Sequence, residues 1–486
     1  MKSKEIIFIL LFVFLFLLII YFSRAVFVQK YNFDYIQDLF YESQWFVGGS
    51  NRIMSDNELY QFAGFRYLKG DSIFSVTPEV PPLGKYFFGL SIVLWNNPYY
   101  ISIFLFILSF IAYYFLVRKF FKNQQKQFFA LLFFLISPLI FQQVARTMLD
   151  LPQLLFFLLH LIFILNLEKA RKNYLSIILA GISFGAFAAC KFPVYILVIF
   201  VADIFYLYQK KILKLIIPIS VVASLIYVLT FLPYFLQGHS LIEWIKAELW
   251  TINFYRTGGR QEIFLQKILS IILGFSKDMW GHTTYFQVDI WSILWPLSIV
   301  SPLVYFIKNK LRVNTKNLSY FYFGILSLIF FIFFIFFAFA PRYFILLLPL
   351  GIIFIVDLLW ERKIVFYLLL LICFLQMFFY FRPSPTLDLY YLKENWEKKN
   401  YKDLYFQTLN TSVSQFTFRE FKEQFENHNI PLKIEFEFDQ GIYLFKDKAE
   451  GILTILKNGD SFKYEVQMRR EDNKWKLVWN NDYFQY

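Results

Sequence analysis

Four carboxylates, Asp56, Glu58, Asp71 and Glu79, stand in the polar stretch 56–85, which closes on the stiff turn Pro81-Pro82-Leu83-Gly84-Lys85. A carboxylate held beside a reacting hydroxyl can take its proton or orient it. Three cations stand out by their isolation: Arg146, Lys191 and Arg342 each sit alone in a short turn between apolar runs. Charge at membrane depth is expensive and marks a task. An anionic headgroup, such as a lipid-linked phosphate, accounts for all three together. Arg would grip two of its oxygens in a fork, and Lys would act as a point charge. Taken singly, each cation has a plainer reading, snorkelling to the headgroups. Asp56 has one too, because Ser55 and Asp56 precede Leu59, Phe62 and Ala63 as a helix cap would.

These residues need elements to hold them, and composition says which. The 486 residues are 58% hydrophobic, 23% aromatic and only 17% charged, outside the range of a soluble domain of this size. A bilayer span takes about 20 apolar residues. Such runs fall near 6–24, 98–117, 127–145, 150–167, 174–190, 192–208, 214–235, 290–307, 319–339, 342–359 and 364–381. The expectation is an all-α polytopic membrane protein of about 11 transmembrane helices. The first run lacks a small-residue cleavage site and reads as a retained anchor. Net charge is +13, yet from residue 384 onward 15 Lys/Arg face 17 Asp/Glu. The excess therefore belongs to the short loops of the apolar part, which argues for sidedness and against nucleic acid. Basic loops at Lys2/Lys4, 118–126, 169–172, 210–214, 308–316 and 362–363 alternate with cation-poor ones. This predicts a cytoplasmic N-terminus, an extracytoplasmic C-terminus and a multi-pass protein of the plasma (cytoplasmic) membrane. The loops 25–97 and 236–289 then face outward with the three lone cations.

The outward loop 236–289 carries Trp244, Trp250, Trp280 and Tyr285, which can stack on sugar rings or simply form an interfacial belt. His282 is a candidate proton carrier or a structural histidine. After the last span, residues 382–390 hold a Pro-rich linker and composition changes abruptly. Helical patterns over Leu392–Leu404 and Thr417–Asn427 precede strand patterns at Leu432–Phe438, Gly441–Phe445, Gly451–Leu456, Ser461–Arg470 and Lys474–Trp479. Lys457-Asn458-Gly459-Asp460 is a hairpin signal. The expected division is thus a membrane domain over 1–381 and an extracytoplasmic α+β domain over 391–486. Its ending is similar to nuclear-transport-factor-like cone domains. Cys190 and Cys373 give neither a disulfide framework nor metal-ligand spacing.

Five motifs in order resemble the GT-C glycosyltransferases that use polyprenyl-phosphate sugars, a group holding the protein O-mannosyltransferases and the lipid A aminoarabinose transferase. Asp56-Asn57-Glu58-Leu59-Tyr60 looks like their D-E-x-x-Y opening, and Pro81 to Lys85 like P-P-L-G-K. Arg146 to Pro152 matches R-x-x-x-D-x-P. Gly181, Gly185, Lys191 and Pro193 match G-x-x-x-G…K-x-P, and Arg342-Tyr343 leading to Pro349 matches a late R-Y run. Asn57, where many relatives have Glu, and Glu79 depart from the pattern. The resemblance implies a GT-C fold and transfer of a sugar from a polyprenyl-phosphate carrier, such as undecaprenyl phosphate, to an extracytoplasmic acceptor. It assigns Asp56 as base or orienting group and Lys85, Arg146, Lys191 and Arg342 to the donor phosphate. Glu58, Tyr60, Asp150, Tyr343 and His282 would support them, Asp150 by orienting Arg146 one helical turn away. Glu79 and Asp71 would take supporting or solvent roles. No cofactor is implied, although a divalent metal (Mg or Mn) between Asp56 and Asp150 stays open. The rivals are a transporter or flippase for a lipid-linked glycan and a non-catalytic scaffold. A transporter would carry ionisable groups at mid-bilayer in broken helices, whereas here they gather at the outer ends of spans.

Overall fold

A computed structural model describes residues 3–28, 30–48, 54–167, 174–191, 195–257, 264–277, 285–288, 290–309, 317–336, 341–380, 433–438, 448–457, 460–471 and 474–478. The chain divides into two compact units, Met1–Met377 and Phe378–Tyr486.

The first unit is a bundle of apolar helices, and each expected span falls on one or more of them. Among the described residues, two of them, Tyr100–Phe120 and Leu318–Phe336, are by themselves long and apolar enough to cross a bilayer. Others are shorter apolar helices of 10–17 residues, including Asp150–Asn166, Tyr174–Cys190 and Tyr195–Gln209. The protein is membrane-embedded. The run 127–145, expected to be one straight span, is instead two helices, Gln124–Ile136 and Pro138–Ala145, meeting at 62°. Pro138 explains the break. It has no N–H to give the preceding turn, and it pushes Ser137 into extended backbone (φ −70°, ψ 122°).

Close packing depends on small residues where backbones meet. Gly181 and Gly185 turn one face of the Tyr174–Cys190 helix against Ile219, Val222 and Ala223 of the Ile216–Leu229 helix, and a Cβ on either glycine would run into that neighbour.

The stretch 25–97, read as a loop, is built of helices: Arg24–Val28, Phe33–Glu42, Asp56–Leu68 and Leu83–Trp95. Ile36, Leu39 and Phe40 of the second pack on Leu59, Phe62 and Ala63 of the third, and Phe231 and Tyr234 close that core. Burying such a side chain contributes about 1.5–3 kcal/mol, so the polar stretch is anchored on a core of its own. Asp56–Leu68 and Leu83–Trp95 cross at Gly64 and Gly89, where a Cβ on either would overlap the other helix's backbone. The 236–289 stretch holds helices Leu241–Thr257 and Phe264–Leu273 and a short antiparallel pair, Phe275–Lys277 with Tyr285–Gln287.

Among the described residues the second unit contains a four-stranded antiparallel sheet: Lys433–Phe438, Lys448–Lys457, Asp460–Glu471 and Lys474–Leu477, paired in that order. Lys457 pairs directly with Asp460, the residues that flank the expected hairpin signal. The expected helices before the sheet and the strand Gly441–Phe445 lie outside the described residues.

Gly89→Ala should destabilise the protein by about 1–3 kcal/mol through overpacking. The check is the thermal unfolding midpoint in detergent, which should fall; an unchanged midpoint would mean that the two helices part freely.

Candidate active site

Asp56 is the first residue of its helix, and its neighbour does the capping. Ser55 accepts from the Glu58 N–H, while the Glu58 carboxylate accepts from the Ser55 N–H at 2.9 Å and its hydroxyl at 2.8 Å. This capping box occupies Glu58 and leaves the Asp56 carboxylate for other work. The helix N-terminus favours a negative charge there. Glu58 thereby has a structural role, and Tyr60 is buried one turn on.

Arg342 reaches Asp56 from a distant part of the chain. Its Nη2 donates to Asp56 Oδ2 at 2.5 Å, and its Nη1 lies 3.6 Å from Met148 Sδ. It belongs to a 3-10 segment, Pro341–Leu346, that enters the Leu348–Leu359 helix. Its Nε faces Asp150 Oδ2 at 3.8 Å, and among the described residues both atoms are buried without a hydrogen-bond partner. Asp150 opens the Asp150–Asn166 helix, and its other oxygen accepts from Lys191 Nζ at 2.6 Å. Both members of that pair are buried, so removing either would strand a charge at a cost of about 3–5 kcal/mol. Lys191 follows the Tyr174–Cys190 helix and stands 4.4 Å from the centre of the Tyr343 ring. Burial pushes its amine down to about 8, with Arg342 adding to the effect and Asp150 and Asp56 opposing it. Asp56, Asp150, Lys191, Arg342 and Tyr343, from four separate parts of the chain, thus form one group.

Lys85 is fully buried beside this group, and its ammonium is committed elsewhere. It donates to the carbonyls of Thr77 at 2.7 Å and Val80 at 2.6 Å, holding the turn that precedes Pro81-Pro82. Glu79 sits in that same turn. Far from a solvent role, it is 6% exposed. Burial raises its carboxyl and lowers the Lys85 amine, to about 7, while their mutual attraction opposes both shifts. Asp56 is close enough to raise Glu79 further. Sequence reasoning missed Glu79 because one acidic residue in a polar stretch gives no sign that the turn folds inward. Gly84 lets the turn seat closely, since a Cβ there would press on Leu149 and the Cys190 carbonyl.

Arg146 stands in extended backbone between a 3-10 helix, Gln142–Ala145, and the helix opened by Asp150. The two are therefore not on successive turns of one helix, and Asp150 serves Lys191 and faces Arg342. The Arg146 turn is held to the Asp56 helix by Asn57, the residue that departs from the D-E pattern. Asn57 Oδ1 accepts from the Thr147 N–H at 3.1 Å, and its backbone carbonyl from the Thr147 hydroxyl at 2.9 Å. Gln61 adds a bond to that hydroxyl at 2.9 Å. Trp244 packs with Tyr227, Phe231 and Phe235, whereas Trp250 is half exposed. Trp280 and His282 lie outside the described residues. Among the described residues no group of three or more His, Cys, Asp or Glu could hold a metal, and Arg342 stands between the two carboxylates considered for one. Asp71 pairs with Arg66 of its own helix region.

Ionisable groups also occur within the spans, contrary to expectation. His160 and Asp203 are completely buried and bonded to each other at 2.8 Å.

The bundle and this cluster can be set beside known structures. ArnT from Cupriavidus metallidurans bound to undecaprenyl phosphate is similar to this chain with a TM-score of 0.50 and 13% identity, over 87% of this chain and 74% of that one. The chain has a GT-C fold. The apo state of ArnT from the same organism matches at a TM-score of 0.43 and 14% identity, over 62% of this chain and 54% of that one. The chain thus spans about half the length of the latter structure and three quarters of the former. No protein-family model and no curated protein matches the sequence. In this GT-C fold the five quoted motifs supply the cluster or its immediate supports.

Lys85→Met should leave the Thr77 and Val80 carbonyls unpaired in a buried turn, at a cost of about 1–3 kcal/mol. Amide exchange across residues 77–80 should quicken. Exchange as slow as in the parent protein would show that Lys85 does not hold the turn.

Proposed function

We propose that this protein is a membrane glycosyltransferase that moves a sugar from a polyprenyl-phosphate carrier, of the undecaprenyl-phosphate kind, to an extracytoplasmic acceptor. One observation carries this reading: Arg342 Nε and Asp150 Oδ2, buried and without a hydrogen-bond partner among the described residues, face each other at 3.8 Å beside Lys191 and Asp56. A cation cluster next to a carboxylate is what departure of a phosphate with deprotonation of an alcohol requires. The GT-C fold, shared with a protein solved with undecaprenyl phosphate, supports the choice of donor.

In the reaction, the acceptor oxygen attacks the anomeric carbon and the bond from that carbon to the phosphate oxygen breaks. The bonding pair stays with the phosphate, where Arg342 and Lys191 stabilise the developing charge. The acceptor proton passes to Asp56. Direct displacement inverts the anomeric centre. Arg342 must first exchange part of its contact with Asp56 for the donor phosphate, which frees the carboxylate at the moment it is needed. Arg146, in the turn held to the Asp56 helix, would extend the cation set, and Lys85 with Glu79 shapes the wall. The proposed topology keeps about eleven spans with the site facing outward. The Pro-rich segment 382–390 would link the membrane domain, 1–381, to an extracytoplasmic module, 391–486.

The bent 124–145 segment and the buried His160–Asp203 pair are features that a lipid-linked glycan transporter would also have. Radiolabelled polyprenyl-phosphate sugar in liposomes separates the two readings: label should move onto an acceptor fraction. Translocation of intact donor without transfer would favour transport. Asp56→Asn should fold normally and lose about 10²–10⁴-fold in kcat; full activity in that variant would remove Asp56 from its role.

The pH profile gives a second check. Lys191, charged below about 8 and neutral above, should make donor kcat/KM fall as pH rises through that value. Lys191→Arg, which stays charged, should push this fall beyond the measured range. A fall at the same pH in both proteins would exclude Lys191 as its source.

A further inference from the structure

Below the site, a second polar cluster joins the helices that carry it. His160, Asp203 and Tyr322 are fully buried. His160 Nε2 meets Asp203 Oδ2 at 2.8 Å, His160 Nδ1 meets the Ala180 carbonyl at 3.0 Å, and the Tyr322 hydroxyl donates to Asp203 Oδ1 at 2.5 Å. Phe184 stacks on the imidazole, and Tyr206 leans on Tyr322.

Each bond links helices that carry a site residue or adjoin one in sequence. His160 is on the helix opened by Asp150, roughly 15 Å further along at 1.5 Å per residue. Ala180 is on the helix that Lys191 follows, and Asp203 on the Tyr195–Gln209 helix just after Lys191. Tyr322 is on Leu318–Phe336, the helix that precedes the Arg342 segment.

The proton count of the cluster follows from its partners. The Ala180 carbonyl can only accept, so Nδ1 must carry a hydrogen. One further proton lies between Nε2 and Asp203, and whichever of them holds it, the pair is neutral overall. Tyr322 satisfies the other carboxylate oxygen. A neutral, internally bonded pair is the form in which such groups are tolerated within a bilayer.

We propose that His160, Asp203 and Tyr322 form a neutral positioning strut, which fixes the four helices so that Asp150, Lys191 and Arg342 converge. This rests on those three residues being the donor-phosphate site, but the geometry can be read without donor. Asp203→Asn keeps every bond: the neutral imidazole accepts from the amide N–H, and the amide oxygen accepts from Tyr322. Asp203→Ala removes both bonds.

The test uses the full chain in detergent, with acylation of Lys191 by an amine-reactive ester read by mass spectrometry. Binding of undecaprenyl phosphate and the donor KM and kcat are measured alongside. Asp203→Ala should raise Lys191 labelling several-fold, weaken lipid binding and raise KM with kcat kept, while Asp203→Asn matches the parent protein. If Asp203→Ala does not fold, Tyr322→Phe, which keeps the His160–Asp203 pair, should still raise labelling. Parent-level labelling in a folded Asp203→Ala or in Tyr322→Phe overturns the strut. Asp203→Asn as impaired as Asp203→Ala also overturns it, because the proton would then be required. If the parent protein binds no lipid but the labelling pattern holds, the strut stands and the donor reading falls.

Discussion

Charges taken out of water must find each other, and in this protein that constraint shapes one end of the helix bundle. Asp56, Arg342, Asp150 and Lys191 come from four separate elements, and no single pair closes the group. Arg342 divides its guanidinium between two carboxylates, and Asp150 divides its carboxylate between two cations. A buried ion pair repays its desolvation only when geometry and further hydrogen bonds are good. The surrounding structure supplies both. Ser55 and Glu58 cap the helix so that Asp56 is free, Asn57 and Gln61 hold the Thr147 turn, and Lys85 fixes the turn that brings in Glu79.

The cluster is also unfinished. Two facing buried atoms, Arg342 Nε and Asp150 Oδ2, lack hydrogen-bond partners among the described residues. Unsatisfied buried groups are costly, and the proposed entry of an anionic oxygen would be a physical reason to keep them so. Stability is given up where binding needs it. The rigid part of the design lies elsewhere, in the glycine crossing at Gly64 and Gly89 and in the small face of the Tyr174–Cys190 helix.

Much of this was legible along the chain, for local reasons. The expected spans are helical, one of them bent, because a long apolar run has few other ways to satisfy its backbone in lipid. Lys191 and Arg342 of the cluster were legible because a lone cation between apolar runs is conspicuous. Pairing was not legible: Asp56 and Arg342 are 286 positions apart, and nothing local says which carboxylate an arginine meets. The role given to Asp150 followed helical spacing to Arg146, but the chain is extended at Arg146 and the carboxylate turns to Lys191 instead. Along the chain Glu79 has a supporting or solvent role because its segment is polar and Lys85 a donor-phosphate role by resemblance, and only the inward fold of the Pro-Pro turn buries them. His160 and Asp203 went unnoticed because each is a single polar residue in an apolar helix, and only their meeting gives them meaning.

The central claim is that this cluster is the seat of a lipid-linked phosphate. Its most direct test is an experimental structure of the protein with undecaprenyl phosphate in a lipid nanodisc. The account predicts phosphate density within hydrogen-bond reach of Lys191 and of Arg342 Nε, with the Arg342–Asp56 contact loosened. Phosphate bound away from these residues, with the Asp56–Arg342 and Asp150–Lys191 pairs intact, would contradict it.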